Sequence, residues 1–152
     1  ALARAHDELG DRAAATDALL TFWRTGGYDP ETLQKLAEWL EEADRTADAI
    51  GVLNTVNLVD PLDQAVHGKL GDLLMTAGRA DEALREYKVA LALDPHDKAT
   101  AYYRLATAHN ALGDRTASQD QLLMALDVAP NFRPAQRLLL ELMRAEPGSE
   151  HN

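Results

Sequence analysis

Cysteine is absent from the 152-residue chain, which excludes disulfide staples and thiolate nucleophiles without fixing a redox compartment. Aromatic residues are scarce, at 5%, while alanine and leucine are plentiful. That balance favours helices, because strands draw on β-branched and aromatic side chains. Basic residues are outnumbered 15 to 25 by acidic ones, and the formal net charge of −10 repels phosphate backbones and anionic membrane surfaces. Nucleic acid and membrane insertion are therefore not expected, and no run approaches the ~18 apolar residues that span a bilayer. The opening Ala-Leu-Ala-Arg-Ala-His-Asp-Glu is too charged for a signal peptide. It begins without methionine, partway through a helical pattern, and is read as cut from a longer chain. What remains, 46% hydrophobic and 26% charged residues, is the profile of a folded soluble domain, of unknown localisation.

Internal periodicity is pronounced. Leu58-Val59-Asp60-Pro61, Leu93-Asp94-Pro95 and Val128-Ala129-Pro130 end alike, with prolines 34 and then 35 residues apart (95 − 61 and 130 − 95). Within each period a small residue is followed at four and seven positions by apolar partners. The sets are Ala49, Leu53, Val56; Ala83, Tyr87, Ala90; and Ser118, Leu122, Ala125. Five positions before each set stands a turn residue, Asp44, Gly78 or Gly113, expected in the left-handed conformation that glycine accepts and aspartate tolerates. Leu2-Ala3-x-Ala5-His6-x-x-Leu9-Gly10-Asp11-Arg12 recurs as Leu105-Ala106-x-Ala108-His109-x-x-Leu112-Gly113-Asp114-Arg115, about three periods later.

These residues resemble the tetratricopeptide-repeat family, whose unit is a helix pair of about 34 residues. Leu70-Gly71, Leu74, Gly78, Ala83, Tyr87, Ala90 and Pro95 stand at the family's marker positions, and Ser118 replaces the marker alanine one repeat later. The resemblance implies an all-α fold, a right-handed superhelical α-solenoid of antiparallel helix pairs. Repeats are expected at roughly 1–29 (partial), 30–63, 64–98 and 99–132, with a capping helix at 133–145 and a flexible tail at 146–152. Nine helices are predicted, at roughly 1–9, 12–25, 30–43, 46–58, 64–77, 80–92, 98–112, 115–127 and 133–145. Asp29 before Pro30 is expected to cap a helix, as are Asp97 and Asn131. Ala37, Gly71, Ala83 and Ala106 should let backbones approach. Leu36, Leu40, Leu53, Leu70, Leu74, Tyr87, Leu105 and Leu122 should fill the space between them.

Catalytic chemistry finds little support. His6, His67 and His109 occupy slots where the repeat packs a large side chain, His96 lies in a loop, and His151 lies in the tail. No His-Glu-x-x-His or comparable ligand cluster is present. The two serines, Ser118 and Ser149, lack the turn and oriented base that activate a nucleophile. Neighbouring carboxylates such as Glu38, Glu41 and Glu42 read as a solvated face, and Gly26-Gly27 lacks a phosphate-loop context. The expectation is a non-enzymatic chain with no catalytic residue, metal or cofactor.

The resemblance further implies that the first helix of each pair lines a concave groove. Groove residues are then Gln34, Glu38 and Glu41; Gly68, Asp72 and Met75 with Lys69 beside them; and Tyr103, Thr107 and Asn110 with Arg104 beside them. Some members of the family hold a terminal carboxylate with a lysine and an asparagine four residues later. The pairs here, Gln34/Glu38, Gly68/Asp72 and Tyr103/Thr107, cannot neutralise one. A protein or peptide partner, basic or neutral rather than acidic, is expected. The alternative is an accessory or self-association domain cut from a larger multidomain protein, packing on its parent or forming a homo-oligomer.

Overall fold

Aspartate begins most of the helices. The computed structural model describes residues 11–144; the expectations placed on 1–9, His6, Ser149, His151 and the 146–152 tail lie outside them. The described residues form eight helices and no strand. They are α1 (Arg12–Arg24), α2 (Pro30–Glu42), α3 (Thr46–Val59), α4 (Gln64–Thr76), α5 (Ala80–Ala92), α6 (Lys98–Ala111), α7 (Arg115–Val128) and α8 (Arg133–Arg144). Each lies within a residue of its predicted bounds. The carboxylates of Asp11, Asp29, Asp63, Asp97 and Asp114 accept backbone N–H groups of the first turns of α1, α2, α4, α6 and α7. These donors have no intrahelical partner, so the caps fix where the helices start. At α3 and α5 the cap position is arginine, and Arg45 and Arg79 instead form ion pairs with Asp48 and Glu82 three residues on.

The turns inside the pairs adopt the left-handed conformation that the sequence predicts. Asp44, Gly78 and Gly113 have φ of 56°, 73° and 78°. Each closes the same six-to-one hydrogen bond, from Arg45 N to Leu40 O (2.7 Å), Arg79 N to Leu74 O (2.9 Å) and Asp114 N to His109 O (2.9 Å). These closures fold α2 on α3, α4 on α5 and α6 on α7, and each helix also packs against its successor in the next pair.

Every residue expected to fill or narrow the inter-helix space is buried, from Leu36, Ala37 and Leu40 to Leu105, Ala106 and Leu122. One apolar cluster runs from α1 to α6, and a second joins α6, α7 and α8 through Ala106, Leu122, Ala125, Ala135 and Leu142. Burial of the Ser118 hydroxyl is matched by donation to the Ala106 carbonyl (2.9 Å), which explains how serine occupies an alanine slot. Trp39 is buried although the repeat pattern does not mark it, with Lys35 and Arg12 over its ring at 4.7 and 5.3 Å.

Candidate protein-binding cleft

Residues of α2, α4 and α6, with Leu53 of α3 and Tyr87 and Ala90 of α5, meet in a cleft of about 510 Å³. Four of the sequence-predicted groove residues line it: Gln34 and Glu38 from α2, Lys69 from α4 and Arg104 from α6. Leu53, Val66, Tyr87, Ala90 and Ala101 supply apolar wall, and Pro95, His96, Asp97 and Thr100 close one end. That end comes from the loop entering α6. Sequence reasoning did not assign these residues to the groove: Pro95 is read as a repeat marker, His96 as a loop residue and Asp97 as a cap, whose third neighbour Thr100 shares the same helix start.

The remaining predicted residues are placed differently. Glu41 pairs with Lys69 across the α2–α4 seam. The Asp72 carboxylate accepts from Arg104 and from the Tyr87 hydroxyl (2.8 Å), tying α4 to both α5 and α6. Burial, reinforced by the adjacent Asp72 charge, pushes the Tyr87 phenol far above its ordinary range, so it stays a donor. Thr107 donates to the Arg104 carbonyl of its own helix (2.7 Å), and Asn110 is exposed near the end of α6. Tyr103 turns away from the cleft, edge-on to Phe132 (centroids 5.6 Å apart), and lines a separate depression against α8.

The cleft's charge is thus unequal. Its two strong cations, Lys69 and Arg104, are already paired with Glu41 and Asp72. Glu38 has no ion pair among the described residues and is exposed. Asp97 lies at the cleft's edge, its carboxyl held below the usual range first by the Thr100 hydroxyl and then by the Thr100 N–H. A carboxylate whose folded pKa is depressed contributes stability above its unfolded pKa of about 4, and that stability is lost as pH falls through the folded value. Asp97→Ala is therefore expected to cost about 1 kcal/mol at neutral pH. Urea titrations should find the wild-type advantage shrinking below about pH 4.

The buried His67 is held at both nitrogens: Nε2–H donates to the Pro61 carbonyl (3.0 Å), and Nδ1 meets the Glu86 carboxylate (2.7 Å). That is a structural role, joining α4 to α5 and to the preceding turn. Nδ1 of His109 lies 3.6 Å from Asp114, and His96 is exposed at the cleft. Among the described residues, no group of three or more His, Asp or Glu side chains is placed to hold a metal ion. No helix among them is long and apolar enough to cross a membrane.

Comparison with known proteins places this geometry. The sequence model of the tetratricopeptide repeat matches residues 74–143. Photosystem I assembly protein Ycf3 of Cyanophora paradoxa is 34% identical over 71 residues, 45% of this chain and 41% of that protein, so the match spans about two fifths of the relative's length. The crystal structure of MamA superposes with a TM-score of 0.82 at 20% identity, covering 95% of this chain and 84% of that one. YrrB, described as a repeat protein with an unusual peptide-binding site, gives 0.77 at 20% identity over 90% of this chain and 70% of its own. The first repeat domain of Spaghetti (RPAP3), solved with an HSP90 peptide, gives 0.71 at 18% identity, over 76% and 91%. The tetratricopeptide repeat is thus recognised in residues 74–143, and along its length the chain shares the helical-solenoid fold of these solved proteins.

Proposed function

We propose that the chain is a non-catalytic protein-interaction scaffold whose cleft holds an extended segment of another protein, basic or neutral in charge. The unpaired Glu38 carries this reading: it faces a cleft whose cations are already neutralised, so a guanidinium or ammonium group from a partner would complete the charge balance. The apolar wall of Leu53, Val66, Ala90 and Ala101 suits an aliphatic stem beside that charge. Peptide binding in solved proteins of this fold supports the use of such a surface.

Glu38→Lys is the informative variant, since Glu41 and Asp72 hold Lys69 and Arg104 and their replacement would disturb the cleft itself. In titrations against an array of lysine- and arginine-bearing peptides, Glu38→Lys is expected to weaken the best wild-type binders about tenfold or more. Equal affinity for both proteins would reduce Glu38 to a solvating charge and refute the reading.

A second reading, an accessory or self-association domain of a larger protein, is favoured by one observation. Leu58, Val59 and Leu62 stand 84, 60 and 73% exposed around the α3–α4 turn, a concentration of apolar surface that commonly marks an interface. The assembly role in the name of the Cyanophora relative is compatible with it. Sedimentation equilibrium decides the self-pairing form, which requires mass to rise with concentration and Leu62→Glu to abolish the rise.

A further inference from the structure

Most cations of this acidic chain are spent on internal carboxylates, as at Lys69, Arg79, Lys98 and Arg104. Helix α8 departs from that pattern. Arg133 and Arg137 are both exposed and form no ion pair among the described residues. One helical turn apart, they fall within about 40° of each other around the helix axis. Arg144, likewise exposed and unpaired, falls within the same arc.

The two arginines line a depression of about 510 Å³ with Tyr103, Pro134, Leu138 and Glu141. Its wall is fixed, because Tyr103 is held edge-on by Phe132 at an interplanar angle of 86° and Leu138 packs on the second core cluster. Glu141 is the single carboxylate among the lining residues, against two guanidiniums.

We infer that the α6–α8 depression is a second binding point, and that it takes an acidic protein segment with neighbouring Asp or Glu side chains. Two planar guanidiniums one turn apart offer forks to two carboxylates, which suits consecutive acidic residues better than a single anion. Tyr103 and Leu138 provide apolar contact for the stems or for an interspersed apolar residue. A long polyphosphate chain is opposed by the −10 net charge, whereas a short acidic segment meets only the local arginine face. This site has the opposite sign to the Glu38 cleft and does not depend on that cleft's function.

The test is fluorescence anisotropy at low salt with a labelled twelve-residue peptide rich in Glu and Leu and amidated at its C-terminus. Wild type is expected to bind it, Arg133→Glu/Arg137→Glu to bind it about tenfold more weakly or worse, and Lys88→Glu, a charge reversal on α5 outside both surfaces, to bind it like wild type. Unchanged helicity by circular dichroism shows that the arginine variant is folded; if it is not, Arg133→Gln/Arg137→Gln takes its place. Binding that survives loss of both arginines, or no binding by wild type, overturns the inference. So does equal binding of a Gln-for-Glu peptide, or binding that requires a free C-terminal carboxylate, because either removes the side-chain carboxylates from the recognition.

Discussion

Gly71→Ala is expected to destabilise the chain by roughly 1–3 kcal/mol, although alanine is the better helix former by about 1 kcal/mol. Gly71 lies inside α4, where propensity alone favours the replacement. A Cβ placed there would stand 2.3 Å from Cε1 and 2.5 Å from Cδ1 of the Tyr87 ring. The ring is buried and its hydroxyl is committed to Asp72, so it cannot swing aside without giving up that bond and opening the α4–α5 contact. Gly68→Ala, one turn earlier in the same helix, is the control. Its Cβ would meet Nη1 of Arg104 at 2.9 Å, the far end of a flexible, part-exposed side chain whose bond to Asp72 runs through the other terminal nitrogen, so a shift of a few tenths of an ångström relieves the contact while that bond is kept. Denaturant midpoints should fall for Gly71→Ala and stay level or rise for Gly68→Ala. A rise for both would show that helix propensity outweighs the packing of Tyr87.

Leu40→Ala should have a larger effect, a loss of about 2–5 kcal/mol. Leu40 has no exposed surface and sits in the cluster that joins α1 to α6, so its removal leaves a cavity as well as lost contacts. Its carbonyl also closes the α2–α3 turn, but the substitution leaves that backbone bond in place. Leu58→Ala removes the same atoms from a side chain that is 84% exposed, and it should change stability by no more than about 0.5 kcal/mol. Thermal or urea unfolding monitored by circular dichroism measures both. Equal losses would contradict the assignment of Leu40 to the core and Leu58 to the surface.

The same contrast shows what can be read from a repeat sequence. Helix starts were legible because aspartate or proline at a helix entrance acts within one turn, and the Asp29-Pro30 pair places α2 without reference to any other helix. The left-handed turns at Asp44, Gly78 and Gly113 were legible for a similar reason, since the backbone limits which residues tolerate positive φ. Stacking repeats then reuses one contact set, so the spacing of Ala83, Tyr87 and Ala90 carries over to Ala49, Leu53 and Val56.

The cleft was only partly legible. Gln34, Lys69 and Arg104 converge as the repeat register implies, because they are positions one period apart, and Glu38 joins them from one helical turn beyond Gln34. What each side chain then does depends on neighbours distant in sequence. Asp72 belongs to the same register, yet Tyr87 and Arg104 engage its carboxylate, 15 and 32 residues away. Tyr103 adjoins Arg104 in sequence, but Phe132 draws its ring toward α8 and out of the cleft. The arginine face of α8 could be read from sequence as a helical stripe. Whether those arginines had carboxylate partners could not, because ion pairing between elements is settled only when the helices are docked. By itself, then, the sequence determined the helices, their turns and the stacking period, which follow from interactions within one turn or one repeat. Which charges are cancelled and which are left facing a partner was decided by tertiary structure, because electrostatic pairing depends on distances across the solenoid that no local pattern encodes.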